Sequence, residues 1–195
     1  MLSYAINVTL DGCCHHEAGL APDAESMRFW TARIERARAL LYGRVTYEMM
    51  ESAWRRPADG RWPAWMDAED IAFAEAIDRA PKHVVSRTLT SVAWNAELLA
   101  DGPAGWSGSD EAADLGAAVR RLIEQTPGDV LLGGVALPDA LADLGLIDEY
   151  VFVVHPVIAG HGPTLLAGLR ERIRLDLIER IDFRSGATAL RYRPA

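Results

Sequence analysis

The chain contains very little cysteine: its two thiols, Cys13 and Cys14, are neighbours in the sequence. Adjacent cysteines cannot join distant segments, so the disulfide framework of a small secreted protein is excluded. The N-terminus also lacks the basic segment, apolar stretch and small-residue cleavage site of a signal peptide. These features predict reduced thiols and a cytoplasmic location.

Long hydrophobic runs and positive charge are also missing. The longest strongly apolar stretch, Tyr150 to Ala159, is interrupted by His155-Pro156 and is far too short to span a bilayer. The formal net charge is −8, with no long basic stripe, whereas binding to a nucleic-acid backbone needs a positive face. We therefore expect neither a membrane nor a nucleic acid as a partner.

The composition is that of a globular protein. Half of the 195 residues are hydrophobic and a quarter are charged, which permits a sizeable core. No repeat, low-complexity tract or linker divides the chain, so a single domain over residues 1–195 is expected.

Strand and helix patterns alternate along most of the chain. Leu2 to Leu10 alternates apolar with small or polar residues, which is typical of a strand whose small face could line a pocket. The other predicted elements are a helix capped by Asp23, a strand at Ala39 to Gly43, a helix capped by Thr46, a helix over Asp67 to Ile77, strands at His83 to Val85 and Val92 to Trp94, a loop at Asp101 to Ser109, a helix capped by Asp110, a strand at Val130 to Leu132, a helix ending at Gly145, a strand at Tyr150 to Ile158, and a hairpin of Ile173 to Ile181 with Thr188 to Tyr192. This order predicts an α/β fold: a mostly parallel sheet flanked by helices, completed by a C-terminal antiparallel hairpin.

A pair of glycines, Gly133-Gly134, stands where the strand Val130 to Leu132 meets the next helix. Glycine lets the backbone approach a ligand closely, and the unpaired N–H groups of a first helical turn attract an anion such as a phosphate. A strand-to-helix turn also needs glycine for steric reasons alone, so the pair by itself does not decide between the two readings.

Two further junctions have the same character. Gly43-Arg44-Val45-Thr46 joins a strand to a helix, and Ser86-Arg87-Thr88 ends a strand. In such sheets ligands bind at the carboxyl ends of the strands, and arginine and hydroxyl side chains are good partners for phosphate oxygens. With Gly133-Gly134 they predict a dinucleotide that carries an extra phosphate. The alternative is that Arg87 only solvates a strand end and Thr46 is only a helix cap.

Several segments resemble one known family in its own order. They are Thr9 to Gly12, Leu41 to Glu48, Lys82 to Leu89, Asp129 to Gly134 with Leu144 to Glu149, and Pro156 to Leu166. These segments are similar to the reductase domain of the bifunctional riboflavin-biosynthesis protein, in the dihydrofolate-reductase-like superfamily. The match extends over nearly the whole chain.

The resemblance implies a reductase that uses NADPH. It places Gly43 to Thr46 and Gly133-Gly134 around the pyrophosphate. By position, Ser86 and Arg87 would lie near the adenosine 2′-phosphate, with help from Arg44, and Thr88 is also expected to bind the coenzyme. It also implies a small heterocyclic substrate of the 5-amino-6-(5-phosphoribosylamino)uracil, pterin or folate type.

Hydride transfer often needs an acid to supply the accompanying proton. Asp11, in the Asp-Gly pair after the first strand, is predicted to orient the substrate or to deliver that proton. Asp-Gly is also a common turn pair, and Glu17, Asp23 and Glu25 are alternative acids.

Three other groups of residues each have two interpretations. Cys13-Cys14-His15-His16 has the ligand types of a zinc site, but adjacent ligands rarely reach one metal, so a pocket loop is favoured and no metal is predicted. His155 and His161 either touch the substrate or are structural. The loop from Trp54 to Trp65 either stacks on a heterocycle or is pinned to the core by its tryptophans.

The sequence thus predicts an NADPH-dependent oxidoreductase, forming a homodimer through the apolar C-terminal hairpin. The alternative is a non-catalytic nucleotide-binding or dimerisation module with the same fold. A flavin-dependent oxidoreductase is a lesser rival.

Overall fold

A computed structural model describes residues 1–99 and 111–195. Within these residues the elements are β1 Leu2–Thr9, α1 Ala24–Arg36, β2 Ala37–Gly43, α2 Arg44–Trp54, α3 Ala68–Arg79, β3 Lys82–Val85, β4 Ala96–Leu98, α4 Glu111–Gln125, β5 Asp129–Gly133, α5 Ala136–Asp143, β6 Glu149–His155, β7 Leu175–Asp182 and β8 Thr188–Pro194. The predicted loop at Asp101 to Ser109 and the cap at Asp110 lie outside the described residues. None of the described helices is both long and apolar enough to cross a bilayer.

All eight strands form one sheet in the order β4-β3-β2-β5-β1-β6-β8-β7. The six strands from β4 to β6 run parallel, and β8 and β7 complete the sheet as an antiparallel hairpin. The predicted α/β class and the C-terminal hairpin are therefore confirmed.

Helices cover both faces of the sheet, and each face has its own hydrophobic core. Leu115 of α4 and Leu141 of α5 pack on one face, whereas Met27 of α1 and Ile77 of α3 pack on the other. Consecutive residues of one strand divide between the two cores, because successive side chains point to opposite faces. Near-continuous apolar strands are the expected result.

Of the two predicted helix caps within the described residues, Asp23 is present and Thr46 is wrong. Asp23 and Asp67 each accept a hydrogen bond from the backbone N–H three residues later, which fixes the starts of α1 and α3. The helix α2 begins instead at Arg44, with Gly43 at the cap position, so Thr46 lies within the first turn and caps nothing. Gly145, with φ of 63°, ends the helical segment in the left-handed conformation as predicted.

The predicted strand at Val92 to Trp94 is also wrong, because the strand is Ala96–Leu98. Trp94 and Asn95 have φ values of 58° and 50°, which break the extended backbone. Trp94 is nevertheless buried, because it belongs to the hydrophobic core on the α1 side of the sheet. The Lys82 ammonium lies 4.1 Å from the centroid of its ring.

Candidate functional site

The parallel pairing brings the three glycine and hydroxyl junctions together. Gly43 at the end of β2 lies opposite Val85 of β3, and Tyr42 lies opposite Gly133 of β5. The junctions that follow these three neighbouring strands therefore meet at one edge of the sheet, as a shared ligand requires. What they bind stays a prediction.

The backbone at the β5 junction is packed too closely for a side chain. A methyl group on Gly134 would lie 2.5 Å from the Thr46 hydroxyl oxygen, and one on Gly133 would lie 2.9 Å from the Tyr42 ring. Gly134 also has φ of 109°, a conformation that residues with side chains rarely adopt. Thr46 therefore forms a wall of this junction, although it does not cap α2.

The first turn of α2 points its backbone N–H groups at the same edge. Gly43 stands at the cap position and has no side chain with which to cap these groups. Uncapped N–H groups at a helix start favour an anion. Arg44 in this turn is exposed and pairs with Glu48 at 2.9 Å.

Ser86 organises the turn after β3. Its buried hydroxyl oxygen accepts hydrogen bonds from the N–H groups of Thr88 and Leu89, at 3.1 and 2.9 Å. The side chains of Arg87 and Thr88 are exposed at the rim. The hydroxyl of Ser86 thus shapes the turn, whereas Arg87 and Thr88 are accessible to a ligand from the solvent.

Asp11 links the turn after β1 to the loop after β6. Its carboxylate accepts hydrogen bonds from the Thr9 hydroxyl and from the backbone N–H groups of Gly160 and Ala159, at 2.7 and 3.1 Å for the latter two. These bonds, the Thr9 hydroxyl first, lower the pKa of Asp11 to about 2. Such a group is ionised near neutral pH, so the geometry favours the turn alternative and does not support Asp11 as a proton donor.

A crevice opens beside the end of β1. This strand pairs with β5 only as far as Tyr4 but follows β6 as far as Thr9, so its later residues have no strand partner on the β5 side within the described chain. On the face covered by α1, a cavity of about 70 Å³ lies against this segment. Its walls include Asn7, Thr9 and Trp30, which confirms that the small face of the first strand lines a pocket.

His155 closes the far wall of this crevice. It is buried, its Nδ1 accepts a hydrogen bond from the Leu20 N–H at 3.2 Å, and its Nε2 lies 3.2 Å from the Asn7 carboxamide oxygen. Burial lowers the pKa of His155, partly offset by the charge of Asp23. His161, in contrast, is exposed on the loop after β6.

The Cys13 to His16 segment is a turn packed on a neighbouring loop. Cys13 forms a β-bridge with Thr164, and the N–H of Cys14 donates to the Pro163 carbonyl. No group of three or more metal-ligand side chains is found within residues 1–99 and 111–195. The imidazoles of His15 and His16 line the crevice with Cys13, which favours the pocket-loop interpretation.

The tryptophan-rich loop is pinned at one end. Trp54 packs edge-on against Phe73 of α3 and lies 6.3 Å from Trp65, which is 65% exposed. Neither tryptophan lines the crevice, where the aromatic wall is Trp30. Sequence reasoning missed Trp30 and Asn7 as site residues, although the period-two pattern of the first strand did indicate the face that carries Asn7.

Comparison with known proteins agrees with this architecture. A model of the RibD C-terminal domain family matches residues 1–187. The uncharacterized protein YyaP of Bacillus subtilis (strain 168) is 35% identical over 72 residues, which cover 36% of this chain and only 38% of YyaP.

Solved structures with the same fold cover the whole chain. A putative riboflavin biosynthesis protein from Shewanella sp. PV-4 is 22% identical, with a TM-score of 0.66 and 98% of its own chain covered. The diaminohydroxyphosphoribosylaminopyrimidine deaminase/5-amino-6-(5-phosphoribosylamino)uracil reductase of Thermotoga maritima is 17% identical, with a TM-score of 0.64 and 56% covered. A pyrimidine reductase-like protein from Corynebacterium diphtheriae is 13% identical, with a TM-score of 0.58 and 91% covered. The fold is dihydrofolate-reductase-like, and the chain belongs to the RibD C-terminal domain family.

Proposed function

We propose that the protein is an NADPH-dependent reductase of a small heterocyclic compound of the aminouracil, pterin or folate type. Membership of the RibD C-terminal domain family supports a reductase-like role. The observation that carries the proposal is the meeting of three anion-suited junctions, after β2, β3 and β5, at the same carboxyl edge of the sheet where the crevice at the end of β1 opens.

The residues of the carboxyl edge fit a dinucleotide. The uncapped first turn of α2 and the side-chain-free backbone at Gly134 would hold the pyrophosphate, because both offer close approach to N–H groups. Arg87 and Thr88 at the rim, helped by Arg44, would hold a 2′-phosphate and so select NADPH over NADH. When bound there, NADPH supplies the hydride.

The crevice would hold the reducible ring. Trp30 offers a flat apolar wall, and the exposed side chain of Asn7 offers a polar contact. No carboxyl group is among the described crevice residues, and Asp11 is held ionised by its hydrogen bonds. The proton that accompanies the hydride would therefore come from an imidazole of the crevice or from water.

A homodimer through the terminal hairpin is part of this proposal. The strand β7 is the last of the sheet, and its side chains Leu177, Ile178 and Ile181 are exposed. Pairing with a second copy would cover an edge that otherwise invites aggregation. Light scattering on the wild type and on Ile178→Lys tests it, with a dimer expected for the first and a monomer for the second.

The experiment that tests the activity has two stages. Calorimetry should show saturable binding of NADPH that is tighter than that of NADH. Spectrophotometry should then show NADPH oxidation with dihydrofolate, 7,8-dihydrobiopterin or 5-amino-6-(5-phosphoribosylamino)uracil. Binding without oxidation of NADPH by any of the three would support the non-catalytic alternative, and absence of binding would overturn the proposal.

A further inference from the structure

We propose that Asn7 recognises the substrate in the crevice and that His155 is a positioning residue, which fixes the Asn7 carboxamide so that its NH₂ group faces the bound ring. The inference rests on the proposed function and narrows its substrate class. The favoured ligand is a planar heterocycle with a hydrogen-bond acceptor, such as a ring carbonyl, on the edge next to Asn7.

The tautomer of His155 follows from its backbone partner. The Leu20 N–H can only donate, so Nδ1, at 3.2 Å, must be the unprotonated nitrogen of the ring. The proton of a neutral imidazole is then on Nε2, which lies 3.2 Å from the Asn7 side chain. A doubly protonated ring would set two N–H groups against each other at Leu20, which agrees with the lowered pKa of this buried histidine.

The orientation of Asn7 follows from that tautomer. An Nε2–H group needs an acceptor, and the carboxamide offers one through Oδ1, not through its NH₂ group. The amide is therefore held with Oδ1 toward His155. The Nδ2 group has no hydrogen-bond partner within the described residues, and Asn7 lines the crevice and is exposed.

The imidazole itself cannot easily turn. A methyl group on Gly19 would lie 3.2 to 3.3 Å from three ring atoms of His155, so the glycine backbone is packed directly on the ring. The backbone of His155 is held in register opposite Thr9 at the end of β6. A rigid ring and a single tautomer make Asn7 a preorganised donor.

The lining of the crevice favours a flat ring as the ligand. Trp30 supplies an aromatic wall, and Leu20 and Pro22 supply apolar ones. A ligand that lacks an acceptor opposite Asn7 would leave a polar group of the site unpaired, which is the strongest basis for rejecting an analogue.

Two substitutions of His155 separate positioning from simple structural support. In His155→Gln the side-chain amide reaches the position of Nε2 and can still donate to Asn7. In His155→Asn the side chain reaches only the position of Nδ1, so it keeps an acceptor for Leu20 but loses the bond to Asn7. A structural role alone would make the two variants alike.

The expected result is a difference between them in KM. His155→Asn should raise the KM for the heterocyclic substrate about tenfold, because one oriented hydrogen bond is lost. The Kd for NADPH should stay at the wild-type value. His155→Gln should return KM to within about threefold of the wild type. Equal KM values for the two variants, or a change confined to the Kd for NADPH, would overturn the inference.

A spectroscopic readout does not depend on turnover. Nitrogen-15 NMR of the wild-type protein should show His155 as the Nε2–H tautomer, and addition of 5-amino-6-(5-phosphoribosylamino)uracil to the NADP⁺-bound protein should shift the Asn7 side-chain NH₂ resonances. A proton on Nδ1, or unshifted Asn7 resonances at saturating ligand, would contradict the inference. Failure of NADPH to bind would instead contradict the proposed function, and the two failures are distinguishable.

Discussion

The two edges of the sheet use charge in opposite ways. At the amino edge, Glu149 is almost fully buried and lies 3.0 Å from the Arg33 guanidinium and 3.7 Å from that of Arg191. The Ser3 hydroxyl also donates to Glu149, at 3.2 Å. At the carboxyl edge, Arg44, Arg87 and Thr88 are exposed, and the junctions after β2 and β5 contain glycine.

The difference separates an edge whose charges are paired within the folded protein from an edge whose polar side chains are accessible to a ligand. A buried charge must be paired within the protein, or its desolvation cost stays uncompensated. A binding site has a different need, because its charged groups must stay accessible from the solvent until the ligand arrives. The amino edge therefore contributes stability, and the carboxyl edge is the one that we propose for binding.

The largest expected effect on stability is at the amino edge. Glu149→Gln removes the charge that balances Arg33, and it should lower the free energy of unfolding by about 3 kcal/mol or more. The Kd for NADPH of the folded protein should not change. Urea unfolding and calorimetry measure the two quantities.

The matched control for this change is Glu69→Gln, which removes a half-buried partner of the exposed Arg28 at 2.9 Å. Its cost should be under about 1 kcal/mol. An equal cost for the two variants would mean that the buried network at the amino edge has no special role.

The largest expected effect on binding is at the carboxyl edge. Gly134→Ala places a methyl group against the Thr46 hydroxyl and strains a positive φ, so NADPH affinity should fall by about tenfold or more. Calorimetric titration with NADPH measures the change.

Gly145→Ala provides the comparison for Gly134→Ala. Gly145 also has a positive φ, but nothing lies within 4 Å of an added methyl group. This variant should lose about 1 kcal/mol of stability and keep the wild-type Kd for NADPH. Normal NADPH binding by Gly134→Ala would show that the β5 junction does not hold the coenzyme.

Coenzyme selectivity should respond more modestly. Arg87→Gln should weaken NADPH binding about tenfold and leave NADH binding unchanged, because only NADPH carries the 2′-phosphate. Arg184→Gln, on the turn between β7 and β8, is a charge-matched control. A parallel loss of NADH affinity in Arg87→Gln would contradict a contact with that phosphate.

The pH dependence of stability should reveal the lowered pKa of Lys82, at the amino end of β3. Burial lowers the pKa of Lys82 from its usual 10.5 to about 8, the charges of Asp78 and Glu51 opposing the shift. Between these values the unfolded chain binds the proton more strongly than the folded one, so stability should rise with pH. Urea unfolding at pH 8 and pH 9.5 should show a rise for the wild type and a flatter response for Lys82→Met. Parallel curves would contradict the assignment.

The smallest expected effect on catalysis is that of Asp11→Asn. Because the Asp11 carboxylate is ionised and fastens a turn, the variant should keep kcat within about threefold and show a small decrease in Tm. The stabilisation by the ionised carboxylate is present above the usual pKa of 3.8 and is lost as the pH falls toward 2. A loss of kcat of a hundredfold or more would restore Asp11 as the acid.

The sequence predicted the fold well because periodicity and capping are local signals. The alternation in Leu2–Thr9 and the aspartate before α1 were sufficient for those elements. The short strand was predicted at Val92 to Trp94, because bulky apolar residues favour a strand, but it lies at Ala96–Leu98. The left-handed backbone at Trp94 is set by tertiary packing and has no local signal in the sequence. Thr46 was mistaken for a cap since glycine carries no side-chain signal at that position.

The carboxyl edge was predicted in outline, but its chemistry was not. The meeting of three strand ends follows from the order of parallel strands, so it was accessible to reasoning from the sequence. The bond between Asn7 and His155 joins residues separated by 148 positions, and the Gly160 N–H that donates to the Asp11 carboxylate is 149 positions from it. No local pattern specifies such pairs.

The most direct test of the account is a crystal structure of the protein with NADPH. The coenzyme should lie along the carboxyl edge, with its pyrophosphate at the first turn of α2 and at Gly134, its 2′-phosphate beside Arg87 and its nicotinamide directed toward the crevice. NADPH bound at the amino edge, or a carboxyl edge left empty at a saturating concentration, would contradict the central claim that these three junctions form one coenzyme site.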